Sequence, residues 1–345
     1  MKRSIAAAAM LSASALLLAG CSTASSRAET ASSTGVTQAA ATSVKNPADL
    51  KMAFFSSGTS NEYLKVAIED AKAVAAKEGF KLDVFDGQWD AKVQFDQMQT
   101  ALSSGKYNSF AVEAIDGNLV CDLLTKNAPE AGVMVTIFNV PICGRATKSG
   151  AEAWEPGTVT FVGGQAPEVY NEWVAGVMAA YPNGAKIALI SGPPLSANTI
   201  NFTKAAEAFK ANPKYEIVAS QTTDYTTPKA FSAAQSIVQA NPGVDVIMSN
   251  YTGMTRGVAQ ATAGTHIAVY DFGGDQWALD NVTSGALAGT VMMLPRQEAA
   301  QAVQAVVDHV AGKKVPQFID LSKSDSLPGT PFVTKANVAK FKAEY

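Results

Sequence analysis

From residue 50 onward, short apolar runs rich in β-branched and aromatic residues alternate with longer stretches whose apolar positions recur at helical spacing. LKMAFF (50–55) reads as a buried strand. The stripe Leu64, Ala67, Ile68, Ala71, Val74 and Ala75 then marks one face of a helix that runs to about Glu78, with Gly79 placed to cap it. The alternation continues with strands over 81–85, 109–112 and 133–138, a helix over 91–104 and another opened by Asp116-Gly117. Residues 140–157 carry glycines and prolines and read as a loop. A second series begins at 158–162. It continues with a helix near 167–181, a strand over 186–190, a helix near 197–211, a strand over 215–220 and a helix over 229–240. Residues 244–274 (VDVIMSNYTGMTRGVAQATAGTHIAVYDFGG) form a strand–helix–strand unit whose two apolar runs lead into Asn250 and Asp271. After an apolar run at 289–294, Pro295 starts a long helix to 310, with Val303, Val306, Val307 and Val310 on one face. Residues 317–321 suggest a last strand, and the PFVTKANVAKF tail a connection and short helix.

Strands and helices alternate twice with no run of consecutive strands. That pattern predicts an α/β chain of two doubly wound, Rossmann-like lobes with parallel sheets. In such sheets ligands bind just beyond the C-terminal strand ends, and here those ends are polar. The crevice between the lobes is therefore the expected ligand site.

The 345 residues allow two domains, and 47% hydrophobic against 17% charged residues allows sizeable cores. The N-terminus reads differently. Lys2 and Arg3 precede an apolar stretch that ends in Leu18-Ala19-Gly20-Cys21, the pattern of a bacterial lipoprotein signal. On that reading residues 1–20 are removed and Cys21 is lipidated. The Ser-, Thr- and Ala-rich segment that follows is a tether to about residue 48. No later run is long enough to span a bilayer. Removal of Lys2 and Arg3 leaves 25 basic against 30 acidic residues, which gives no basic face for nucleic acid.

In an oxidising compartment the remaining Cys121 and Cys143 are a plausible pair. They fall on the same rim of a parallel sheet, so a bridge is geometrically possible; two buried free thiols are the alternative. No metal site is expected, because neither His266 nor His309 sits at ligand spacing from a cysteine. The chain lacks a G-x-S-x-G elbow, a Walker A loop and a G-x-G-x-x-G fingerprint, so neither an enzyme nor a cofactor is expected.

From about Leu50 to Phe341 the chain resembles the type I periplasmic sugar-binding proteins of ABC importers, in the ribose-, galactose- and arabinose-binding group. The carriers are SSGTSNEYL, GVDVIMSNYTGMTRGVAQA, VYDFGGD, GALAGTVMMLPRQ and PFVTKANV, in that family's order and spacing. The resemblance implies two lobes joined by a three-segment hinge near Gly163, Leu294 and Ser322. The N-terminal lobe would comprise 49–162 plus 294–322 and the C-terminal lobe 163–293 plus 323–345. LacI-type regulators share this fold but carry an N-terminal helix-turn-helix where this chain has an export signal.

The same resemblance implies the ligand contacts. Asn61 and Tyr63 match the polar and aromatic residues after the first strand, and Tyr225 the opposing aromatic, with rings suited to the C–H face of a sugar. Asn250 and Asp271 match the pair that bonds hydroxyls. Asn139 stands where ribose-type proteins place an Asp followed by Arg; that Arg is Val140 here. A second Arg is replaced by Asn198, Asn201 and Lys204, a Gln by Met293, and an Asn by Glu113. Two guanidinium forks are lost and a carboxylate is gained, which favours a donor-rich ligand: a polyol, an amino-bearing sugar or a small cation. Glu113 and Asp271 are expected side by side. Ser57 and Trp89 are further candidates at the pocket. The implied partners are a small polar solute, an ABC permease and, through the lipid, the membrane; a monomer is expected. The alternative is a surface sensor that presents its ligand to a receptor.

Overall fold

The computed structural model describes residues 43–345. The signal at 1–20, the lipidation at Cys21 and the tether to residue 42 lie outside them. Val44 already packs against the core, and Asn46 caps a 3-10 turn over Pro47–Asp49, so the folded part begins before residue 49.

The first lobe runs β1 (Met52–Ser56), α1 (Glu62–Lys77), β2 (Leu82–Asp86), α2 (Ala91–Ser103), β3 (Ser109–Val112), α3 (Ala128–Glu130), β4 (Met134–Phe138) and β5 (Thr160–Gly163). The second runs α4 (Pro167–Ala180), β6 (Ala185–Ser191), α5 (Ala197–Lys210), β7 (Tyr215–Thr222), α6 (Thr227–Ala240), β8 (Val246–Ser249), α7 (Thr252–Ala261), β9 (Ala268–Asp271), α8 (Gln276–Ser284) and β10 (Thr290–Val291). The chain then returns to the first lobe with α9 (Pro295–Val310), which packs on α1, and β11 (Phe318–Asp320), which pairs with β5. A final crossing brings β12 (Phe332–Val333) onto α4 and β10.

The first sheet has six strands in the order β11-β5-β4-β3-β1-β2 and the second has four in the order β7-β6-β8-β9; every pairing within them is parallel. Helices cover both faces, so the central strands are buried along their length and mostly apolar: every residue of β1, β3, β4 and β8 is buried. The second lobe's core stacks Tyr170 on Phe272, with ring centroids 4.5 Å apart, and sets Trp173 edge-on to Phe272.

In each sheet the chain builds outward from one strand, then crosses it. β1 lies between β2 and β3, and β6 between β7 and β8. The connections leaving β1 and β3 therefore diverge to opposite faces, as do those leaving β6 and β8. A crevice opens at each switch point. Ser57 and Glu113 follow β1 and β3; Gly192 and Asn250 follow β6 and β8.

Some local expectations change. The run at 289–294 forms only the short strand β10, paired antiparallel with β12, a strand not expected in the tail; the short helix expected there is a 3-10 turn over Val338–Lys340. The fold is thus parallel except for this two-stranded ribbon. α8 was not anticipated; Asp275 caps it by accepting from the Ala278 amide, and Gly285 ends it in the left-handed region. The helix expected from Asp116-Gly117 becomes a π-turn over Leu123–Asn127 that runs into α3. Cys121 and Cys143 are disulfide-bonded, with Cα atoms 5.0 Å apart, which closes the loop that leads out of β4 onto this irregular helix.

Candidate functional site

A cavity of about 350 Å³ lies between the two sets of strand ends. Of the sequence candidates, Ser57, Asn61, Tyr63, Trp89, Glu113, Asn139, Asn198, Tyr225, Asn250 and Met293 line it. Asp271 and Asn201 do not.

The floor on the first lobe is a hydrogen-bonded row. Glu113 leaves β3 buried, at 3% exposure. Its carboxylate accepts from the Ser57 amide at 3.3 Å and from Asn139 Nδ2 at 2.6 Å. Asn139 Oδ1 in turn accepts from Gln165 Nε2 at 2.6 Å, and Gln94 Nε2 donates to the Glu113 carbonyl at 2.8 Å. Burial raises the Glu113 carboxyl above its ordinary range, and the bonds from Asn139 and Ser57 oppose this. Asn61 is half committed: it is the N-cap of α1, and its Oδ1 accepts from the Leu64 amide at 2.8 Å.

Tyr63 offers only its ring. Its hydroxyl donates to Glu298, a residue in the first turn of α9 that the sequence reading passed over. Glu298 also accepts from the Gly164 amide at 3.4 Å, where the chain leaves β5 for the second lobe. Burial lifts Glu298 to about 8, against the Tyr63 bond and with the help of the nearby Glu113 charge. The carboxyl on which the Glu113 charge acts is thus Glu298.

Asp271, expected at the ligand, does not line the cavity. It ends β9 fully buried and is spent inside the second lobe: it accepts from the hydroxyls of Thr252, Thr255 and Thr290 and from the Gly274 amide. Burial raises it to about 6, opposed first by the Thr255 and Thr290 bonds. Its oxygens hold the loop after β9. Asn201 is likewise buried within α5, away from the cavity.

On the second lobe, Asn250 is 3% exposed. Its Oδ1 accepts from the Gly192 amide at 3.2 Å, while its Nδ2 has no partner. A buried donor left unmatched is costly, and this one lines the cavity. Tyr225 Oη lies 2.8 Å from Ser196 Oγ, and burial raises the phenol, with the Glu113 charge across the cleft adding to it.

Leu64, Ile115, Val140, Pro193, Pro194, Leu195 and Tyr251 add apolar wall, and Asp116, Ser196 and Asp224 also line the cavity. Trp89, at 43% exposure, and Leu195, at 75%, mark the mouth. Tyr251 and Leu195 had no strand-end signal and were missed. Three lining residues, Trp89, Asn139 and Tyr225, have left-handed backbone, with φ of 58°, 60° and 65°. Each such non-glycine conformation costs on the order of 1–3 kcal/mol, and such strain gathers at ligand clamps.

The site contains a hydrogen-bonding row, facing aromatic rings and an unmatched donor. It is built to hold a molecule. Comparison with known proteins agrees. Residues 52–314 match the periplasmic binding protein domain family. The ribose import binding protein RbsB of Bacillus subtilis (strain 168) is 23% identical over 71% of this chain and 76% of its own length. That of Escherichia coli (strain K12) is 26% identical over 74% and 84%. The crystal structure of an ABC transporter solute-binding protein from Mycobacterium smegmatis with bound glycerol superposes with a TM-score of 0.71. It is 26% identical, covering 86% of this chain and 99% of that one.

Proposed function

The chain belongs to the periplasmic binding protein domain family, as an extracytoplasmic protein that captures a small polar solute between two lobes and is not an enzyme, and we propose that it hands this solute to an ABC importer. The solute is a monosaccharide, a polyol or an amino-bearing relative of one. The observation that carries this reading is the cavity of about 350 Å³, walled by polar strand ends from both sheets and by facing rings. That volume suits one sugar-sized molecule. Relatives described as ribose import binding proteins support the class of solute but not its identity.

Capture works through the two walls. Glu113, Asn61 and Asn139 sit on one lobe, and Asn198, Tyr225 and Asn250 on the other. A solute that bonds to both walls favours the closed arrangement by its differential affinity for it, with bending at the three crossings near Gly163, Leu294 and Ser322. The closed form docks on the permease as a monomer. Lipid on Cys21 keeps the protein at the membrane face, and the Ser/Thr/Ala-rich segment gives it reach.

Thermal unfolding against a panel of sugars, polyols and amino compounds tests the reading. A bound solute at 100 times its Kd adds about 2.7 kcal/mol to the folded state and raises Tm. A panel in which no small solute shifts Tm overturns it. Cys21→Ser is expected to move the protein from the membrane fraction to the soluble fraction; an unchanged distribution refutes the anchor.

A further inference from the structure

The cavity is unbalanced in charge. Glu113, Asp116 and Asp224 line it, and no lysine, arginine or histidine does. Asp116 is occupied by the amides of Asn118 and Leu119, and Asp224 has Lys229 at 3.8 Å outside the cavity. Glu113 has no such compensation: it is buried, and the donors that reach its carboxylate are neutral. A buried carboxylate is retained at a cost unless a partner offsets it. Among the described residues no cation lines the cavity, so the geometry assigns the partner to the solute.

The surroundings narrow the chemistry. Tyr63, Trp89, Tyr225 and Tyr251 give the cavity four aromatic rings, whose faces attract cations as well as C–H surfaces. Across from Glu113, the unmatched Asn250 Nδ2 asks for an acceptor. One molecule answers both: a positive group at one end and a hydroxyl or ring oxygen at the other.

We propose that the solute is a protonated amine carried on a sugar or cyclic polyol, with the ammonium on Glu113 and the hydroxyl-bearing ring reaching Asn250. This rests on the reading of the cleft as a capture site and names the class of molecule captured. The competing arrangement is a neutral sugar with Glu113 protonated, acting as a donor like a carboxamide.

The two differ in what Glu113→Gln does, because glutamine mimics a protonated carboxyl and cannot replace a charge. Calorimetric titration at a pH where the amines are protonated would use matched probes: D-glucosamine against D-glucose, D-galactosamine against D-galactose, and an aminated inositol against myo-inositol. The aminated member of at least one pair is expected to bind at least about tenfold tighter than its twin. Glu113→Gln should weaken it on the order of 100-fold, the scale for removing one side of a buried charge pair, and change the twin only a few-fold. A neutral twin that binds as well or better, or a preference that survives Glu113→Gln, overturns the proposal and leaves sugar capture standing. If no member of any pair binds, the capture reading fails with it. Should the variant not fold, the wild-type comparison decides, with N-acetyl-D-glucosamine, which lacks the charge, expected to bind no better than glucose.

Discussion

Trp89 and Tyr225 meet across the cleft, with ring centroids 5.7 Å apart and planes tilted by 42°. Each ring rests on a glycine with no room for a side chain. A Cβ on Gly58 would lie 2.6 Å from the Trp89 indole nitrogen, and one on Gly192 2.0 Å from the Tyr225 ring. The contact joins two loops that belong to different sheets, so it exists only while the lobes are together.

Opening the cleft breaks this contact, which makes it part of the barrier to release. An aromatic pair adds about 0.5–1.5 kcal/mol beyond its buried area. Trp89→Ala is therefore expected to speed solute dissociation about tenfold in stopped-flow measurements and to leave the association rate nearly unchanged. Gly192→Ala should act in the same direction by pushing the Tyr225 ring aside. Equal dissociation rates in wild type and both variants would remove the pair from the closing mechanism.

Asn250 and Asp271 should separate cleanly. Asn250→Ala removes the unmatched donor in the cavity and is expected to weaken solute binding by about 1–3 kcal/mol with a small change in Tm. Asp271→Ala takes the carboxylate acceptor from three buried threonine hydroxyls, of which Thr255 and Thr290 keep a backbone carbonyl, and from the Gly274 amide. It should destabilise the fold by roughly 3–5 kcal/mol, read in urea unfolding. A stable Asp271→Ala protein with lost affinity would return that carboxylate to the binding site.

Glu298 gives the protein a pH dependence with a definite sign. Its carboxyl is near 8 when folded, above the ordinary 4.5, so the folded state binds more protons than the unfolded one between those values. Stability is expected to fall as pH rises from about 4.5 to 8 and to level off above. Asp271, raised to about 6, adds to the decline between 3.8 and 6. Glu298→Gln keeps an acceptor for Tyr63 without the charge. It should flatten the slope above pH 6 and raise Tm at pH 8; a variant less stable than wild type at pH 8 would contradict this.

The Cys121–Cys143 bridge closes a 22-residue separation, and loop-closure entropy puts its contribution at about 3 kcal/mol. Free-thiol titration of the unfolded, unreduced protein should find neither residue reactive. The double serine variant should unfold at lower urea concentration; two titratable thiols in oxidised protein would refute the bridge.

The alternation of apolar runs and helical stripes was enough to read the two-lobed fold, because strand and helix differ in the period at which they bury side chains. Leu64, Ala67, Ile68 and Ala71 of α1 are all buried, as their spacing implied. The polar strand ends marked Ser57, Glu113, Asn139 and Asn250 of the cavity lining, since parallel sheets place those ends on one rim. What a strand end does with its polar group was not legible. Asn250 and Asp271 end neighbouring strands with the same local pattern, yet the first faces the cavity and the second is taken up by three threonines, two from α7 and one from β10. Nor could local pattern find the Tyr63–Glu298 bond, whose partners are 235 positions apart. Periodicity is a property of the chain and survives in the sequence. Which hydrogen-bond partners reach a buried group, and which group is left for a solute, depends on segments that meet only when the lobes assemble; there the tertiary structure alone decided.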